Sequence, residues 1–242
     1  MTGLPDVQTL YEVTEHTWPS AAVQDAGAWT LRDGQGGGKR VSAATARRSV
    51  SKTDLHLAET AMKAFGQTPL FMIREGEEAL DQILEDAGYA IIDPVNLYVC
   101  DIERLTMDRP PKVTAFDIWP PLAIQADIWD AGGISAARRE VMARVNGPKT
   151  ALFGRESSRP AATGFVAMHK GIAMVHALEV LEPHRGRHMG THLTRHAAFW
   201  AADQGATHLA VLCTKANQGA NALYSSLGMT VVGQYHYRIK EG

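Results

Sequence analysis

The junction from Leu178 to Thr191 constrains this chain more than any other segment. An apolar, strand-like run ends there in Glu182-Pro183-His184-Arg185-Gly186-Arg187-His188-Met189-Gly190-Thr191, and a helical pattern follows at once. A helix that begins straight after a strand leaves its first backbone N–H groups without internal partners, at the positive end of the helix dipole. With Arg185 and Arg187 beside those groups, the junction is built to hold phosphate. It also commits this part of the chain to an α/β architecture.

Further along come Asn217-Gln218-Gly219-Ala220-Asn221-Ala222-Leu223-Tyr224 and then Ser225-Ser226-Leu227-Gly228-Met229. An apolar strand, a proline, a basic residue with glycines after it, a helix, a strand and this N-x-x-A-x-x-L-Y-x-x-x-G block follow one another in order. In that order the segment 110–242 resembles the GNAT superfamily of acetyltransferases. The resemblance implies a mixed-sheet α/β (α+β) fold, the acyl-CoA N-acyltransferase fold. It implies acetyl-CoA as co-substrate and no metal. It also places Arg185, Gly186, Arg187, His188, Met189, Gly190 and Thr191 in the loop that wraps the pyrophosphate. The family pattern is R/Q-x-x-G-x-G/A, whereas this chain has His188 where glycine is expected. Glycine there brings backbone close to phosphate at no side-chain cost. His188 therefore either reaches outward to phosphate itself or weakens the grip on CoA.

The same resemblance lines the pantetheine arm with Leu178, Val180, Leu181 and Glu182, and adds Asn217 and Tyr224 from the later block. It implies acetyl transfer to a primary amine by direct attack in a ternary complex, on a small-molecule or peptide acceptor. Such a transfer needs a neutral amine, stabilisation of the oxyanion and a proton for the departing thiolate. Backbone N–H groups around Leu178 to Val180 serve the second need. Tyr224 serves the third, because a phenol of ordinary pKa near 10 suits a thiolate leaving group. Packing against CoA is its alternative role. Asn217 either binds pantetheine or caps the following helix. Glu179 is the first candidate for the base, with His176, water or a residue of the N-terminal half as the others. The odd offset between Glu179 and His176 puts them on opposite faces of a regular strand, so only one faces the cleft. An inactive CoA-binding or structural module is the competing reading, with His188 as its sign of decay. The joint presence of Arg185, Gly190, Asn217 and Tyr224 favours the enzyme.

A weak internal repeat accompanies this block. Glu77 to Tyr89 aligns without gaps on Asn217 to Met229, with Gly88-Tyr89 on Gly228-Met229 and Leu70-Phe71-Met72-Ile73 on Ala210-Val211-Leu212-Cys213. Both copies run on into extended segments, 90–99 and 230–239, as two α/β units would. The expected division is a degenerate GNAT-like domain at 1–108 and the acetyl-CoA domain at 109–242, with the linker at Asp108 to Lys112. The first copy has Glu77 in place of Asn217 and Leu84 in place of Tyr224. Nothing before its helix at 54–65 resembles a phosphate loop, so its expected role is to pack against or shape the acceptor cleft.

Other elements read as a helix at 5–15, strands at 29–32 and 40–44 around a turn at Asp33 to Gly38, and a helical stretch at 121–145 interrupted at Gly132-Gly133. Strands follow at 150–154, 162–169 and 172–181. The glycine run at 36–38 lacks the Lys-Ser/Thr ending of a nucleotide loop and reads as a hairpin turn. His184, His188, His192 and His196 recur every fourth position without a completing Cys or H-E-x-x-H pattern, which favours boundary histidines over a metal set. A formal net charge of -2 gives no basic footprint for nucleic acid, and no run is long enough to span a bilayer. Asp6, Glu12 and Glu15 precede the first basic residue, Arg32, and Cys100 and Cys213 show no paired spacing. Both features point to a reduced, cytoplasmic setting. Oligomeric state stays open.

Overall fold

In the computed structural model, which describes residues 3–240, the chain runs α1 (Val7–Thr17), β1 (Ala22–Ala26), β2 (Trp29–Asp33), α2 (Lys39–Ser42), β3 (Thr45–Ala46), α3 (Lys52–Ala64), β4 (Leu70–Arg74), α4 (Glu78–Asp86), β5 (Ala90–Asp101) and α5 (Ile102–Thr106). It continues with β6 (Ala115–Ile118), α6 (Ala123–Ala131), α7 (Ala136–Arg144), β7 (Lys149–Glu156), β8 (Arg159–His169) and β9 (Ile172–Val180). After a 3-10 turn at Glu182–His184 come α8 (Met189–Asp203), β10 (His208–Thr214), α9 (Gln218–Ser226) and β11 (Thr230–Ile239). β1, β2 and β3 form a small antiparallel sheet. The others make one mixed sheet in the order β4-β11-β5-β10-β9-β8-β7-β6.

That order carries the repeat into three dimensions. β5 leaves the first half to pair antiparallel with β10, and β11 leaves the second half to pair antiparallel with β4. The exchange is symmetric. Thr214 lies opposite Val95, and Arg74 lies opposite Tyr235, so Arg74 corresponds to Thr214 and Val95 to Tyr235 with the same offset of 140. β5 and β11 pair with each other across the centre, Val99 on Thr230 and Ala90 on Ile239. One continuous sheet thus joins the segments on either side of the expected 108/109 boundary.

Glycine explains why the repeat is visible at all. α4 ends with Gly88 at φ +83 and α9 with Gly228 at φ +73. In each, the next N–H returns to the carbonyl six residues back by inclusive count, Tyr89 to Leu84 at 2.9 Å and Met229 to Tyr224 at 3.1 Å. This closing turn needs a left-handed residue, which glycine supplies without Cβ strain.

Helices cover both faces of the large sheet. α8 buries Met189, Leu193, Ala197, Ala198 and Ala201 against β7, β8, β9 and β10. α1, α6 and α7 lie on the other face, around Leu10, Val13, Trp129, Val141 and Met142. The strand expected over 40–44 is instead the one-turn helix α2 followed by the short β3. Gly36 and Gly38, at φ +76 and +98, turn the chain into that helix where a hairpin was expected. Among the described residues no helix is long and apolar enough to cross a membrane.

Candidate functional site

β9 and β10 run parallel only from Ile172 opposite His208 to Val175 opposite Val211. Beyond that point β9 continues along β8 to Val180, while β10 continues along β5 to Thr214. The strands part, and the β9 edge from His176 to Val180 loses its β10 partner. A β-bulge sits at the same place. Phe165 pairs with His176 but Thr163 with Glu179, and Ala177 takes φ +50. One extra residue on β9 reverses the alternation beyond it. Glu179 and His176 therefore share a face, in contrast to the opposite faces expected from their odd offset.

They nonetheless have different surroundings. His176 is buried, with Nδ1 3.1 Å from Arg40 Nη1 and Nε2 2.9 Å from Thr17 Oγ1. A guanidinium only donates, so Nδ1 accepts, Nε2 carries the proton, and the Thr17 hydroxyl passes its own to the Val13 carbonyl at 2.7 Å. Burial, and then the Arg40 charge, hold the imidazole well below its ordinary value of 6.5. His176 is thus a neutral support for Arg40 and lies away from the cleft. Glu179 is half-buried against the α6–α7 turn, where a Cβ on Gly132 would come within 2.5 Å of its Cδ. Its Oε1 accepts from Arg185 Nη2 at 3.1 Å.

Between the parted strands, α8 and α9 enclose a cleft of about 820 Å³. Leu178, Glu179 and Val180 line it from β9, and Arg185, Gly186, His188, Met189, Gly190 and Thr191 from the loop and the start of α8. Asn217 and Tyr224 line it from α9. No side chain caps the N-terminus of α8, and its first internal bond is donated by His192 to the His188 carbonyl. The N–H groups of the opening turn are left for whatever enters. Gly190 lets α8 and α9 approach, since a Cβ there would lie 2.9 Å from Leu223 Cδ2.

His188 holds φ +61 and ψ 8, the left-handed conformation that glycine would occupy at no strain. Asn217 caps α9, its Oδ1 accepting from the Ala220 N–H at 3.0 Å. The Tyr224 ring packs 5.7 Å from Tyr98, and burial raises its phenol well above the ordinary 10, so the proton stays on. Arg185 folds back, Nε donating to the Val180 carbonyl at 3.0 Å.

Three residues of the expected set fall outside the cleft lining. The Leu181 N–H continues the β8 ladder to Ala161 at 2.9 Å, and Glu182 points outward from the first position of the 3-10 turn. Gly186 at φ +72 redirects the chain, so Arg187 reaches Glu156 at 3.4 Å on the β7–β8 hairpin. Glu156 also binds His184, and that bond, ahead of Arg187, lowers its carboxyl pKa. His196 pairs with Asp117 at 2.9 Å. Of the four-spaced histidines, His184 and His196 thus serve separate partners. Glu12, His16 and His169 bring potential ligand atoms within 4.8 Å of one another, but Lys170 Nζ already occupies the Glu12 carboxylate at 2.6 Å.

The first repeat closes the equivalent helix start. At α3, Ser51 Oγ accepts from the Asp54 N–H at 3.2 Å and the Asp54 carboxylate accepts from the Ser51 N–H at 3.0 Å. The chain's own side chains thus satisfy the donors that remain open in α8.

Residues 124–229 match the model of the acetyltransferase (GNAT) family. A protein of Bacillus subtilis (strain 168), named as the uncharacterized N-acetyltransferase YobR, is 25% identical over 252 residues, covering 98% of this chain and 100% of that one. A GCN5-related N-acetyltransferase from Kribbella flavida superposes with a TM-score of 0.71 at 20% identity, over 100% of this chain and 97% of the other. A tandem GNAT protein from the clavulanic acid biosynthesis pathway gives 0.63 at 13% identity, over 96% and 87%.

Proposed function

Since residues 124–229 are a GNAT acetyltransferase domain on an acyl-CoA N-acyltransferase fold, we propose that this chain transfers the acetyl group of acetyl-CoA to a primary amine by direct attack in a ternary complex. One observation carries the reading: the uncapped start of α8 opens into the same cleft as Glu179 and Tyr224. The cleft's volume of about 820 Å³ lies within the roughly 300–1,000 Å³ usual for small-molecule sites.

When bound, acetyl-CoA supplies an activated acyl group. The N–H groups of Met189, Gly190 and Thr191 hold its diphosphate, with Arg185 swinging from Glu179 to add charge. Release of that ion pair frees Glu179 to accept the proton of the incoming amine, directly or through a water. The unpaired β9 edge after Val175 offers N–H donors to the acyl oxygen. Tyr224 Oη holds the proton that the departing sulfur needs. The self-capped α3 leaves the first half without a second phosphate site.

Thermal shift with acetyl-CoA and free CoA, followed by thiol release with a panel of amines, tests the reading. Stabilisation by both and amine-dependent thiol release are expected. Stabilisation without thiol release would favour an inactive CoA-binding module, and no stabilisation by either would remove the site.

A further inference from the structure

A second cavity, of about 340 Å³, opens on the face of the sheet that carries α1, α6 and α7. It meets the parted strands from the other side: Ala177 and Thr214 line it, while the next residue, Leu178, lines the first cleft. Most of its wall comes from outside β9 and β10, with Gly38, Lys39 and Arg40 at α2, Arg138 on α7, and Tyr235 and Tyr237 on β11.

Its charge is unbalanced. Lys39 pairs with Asp93, which sits at the bulge of β5, so those two cancel. Arg40 and Arg138 have no carboxylate partner among the described residues. Arg40 spends Nη1 on His176, and its buried Nε has no hydrogen-bond partner at all. Arg138 lies over Gly38, where a Cβ would come within 3.2 Å of its Nε. Burial, and then the Arg40 charge, lower its pKa, so the two guanidiniums repel each other in a partly desolvated space. Such a pair is costly alone and favourable around an anion, because a guanidinium fork matches a carboxylate. The Tyr235 and Tyr237 hydroxyls border the same place, and since Tyr237 donates to Tyr235 at 3.4 Å, the Tyr235 hydroxyl is the one left to donate.

We propose that this cavity binds the acceptor through a carboxylate, so that the acetylated molecule is an amino acid or similar amine bearing a carboxylate, with Arg40 and Arg138 gripping the anion. The inference rests on the acetyltransferase reading above and specifies its acceptor. It also gives the buried His176–Thr17 relay a purpose: it fixes Arg40 as a positioning support. Glu179, brought to this face by the bulge, stands on the side from which the amine arrives.

The test compares the proteinogenic amino acids with their decarboxylated amines, lysine against cadaverine and phenylalanine against phenethylamine among them. Thiol release from acetyl-CoA is the readout, with acetyl-CoA binding measured separately. The expected result is kcat/KM at least tenfold higher for one or more carboxylated members than for their decarboxylated partners. Arg138→Gln is expected to raise the KM of that member about tenfold or more, beyond any change for its partner and with acetyl-CoA KM unchanged, the scale of a lost charge-assisted pair. Equal or better turnover of decarboxylated amines overturns the carboxylate inference and leaves the acetyltransferase standing. So does an absence of response to both sets when acetyl-CoA still binds. Loss of acetyl-CoA binding in the wild-type protein overturns the reading beneath it.

Discussion

His188 tests whether the start of α8 works through its backbone or through a side chain. At φ +61 and ψ 8 it sits in the left-handed well, which costs an L-residue about 1–2 kcal/mol. Replacing it by alanine removes the imidazole and keeps that cost. Replacement by glycine removes both, but loses about 0.5–1 kcal/mol to the greater freedom of the unfolded chain. The expected difference is a glycine variant more stable than the alanine variant by about 1 kcal/mol, or about 2–4 °C in Tm for a chain of this size. Calorimetric melts of both variants measure it. Titration with acetyl-CoA separates the chemistry. If backbone amides alone hold the diphosphate, both variants bind within about twofold of wild type, since the deleted ring made no direct hydrogen bond worth about 1 kcal/mol. If the imidazole touches phosphate, both weaken together. An alanine variant as stable as the glycine variant would refute the left-handed strain, and with it the explanation of why glycine is expected there.

Arg185→Ala is expected to weaken acetyl-CoA binding by roughly 1–3 kcal/mol in calorimetry, the scale of a charge-assisted hydrogen bond; unchanged affinity would count against its swing toward the diphosphate. Tyr224→Phe should lower kcat with little change in acetyl-CoA affinity, and wild-type turnover would remove its role as proton donor. His176 gives a pH signature. Its folded pKa is depressed, so the unfolded chain takes up a proton near the ordinary 6.5 while the folded chain does not. Stability should therefore fall as pH drops below that value, by up to about 1.4 kcal/mol per unit for one proton. Denaturant titrations of wild type and His176→Gln at pH 5 and 7 check this, and an equal pH slope in both would show that His176 is not the group.

Local chemistry made the strand–loop–helix junction of the candidate site legible in the sequence. Glycines at 88 and 228 were visible because a helix-closing turn demands them, and the loop from Arg185 to Thr191 was visible because a strand delivers it directly to a helix. Long-range pairing was not visible. Nothing in 90–101 or 230–239 says which half each strand joins, since the two segments are built alike and both pair antiparallel. The bulge at Ala177 was equally hidden. Alanine carries no signal for φ +50, so simple alternation separated Glu179 from His176, whereas the extra residue puts them on one face. Arg40 and Arg138 carried no motif, being brought together only where the turn into α2 packs against α7.

The two halves show how one architecture supports unequal roles. Each presents a helix after a short parallel contact with its neighbour strand, Ala44 on Phe71 in the first and Val175 on Val211 in the second. In the first, β3 stops two residues beyond that contact, and Ser51 and Asp54 satisfy the helix start. In the second, β9 runs on for five residues, bulges, and ends at a helix whose leading amides have no side-chain cap. Capping each helix start with its own side chains would stabilise α8 by about 0.5–2 kcal/mol, but it would satisfy the donors that an anion needs. Strand exchange joins the two halves, β5 pairing with β10 and β11 with β4. The first half also supplies α2, and β11 brings Tyr235 and Tyr237 beside Arg40. The second cavity is accordingly lined from both halves, by Gly38, Lys39 and Arg40 from the first and by Arg138, Tyr235 and Tyr237 from the second.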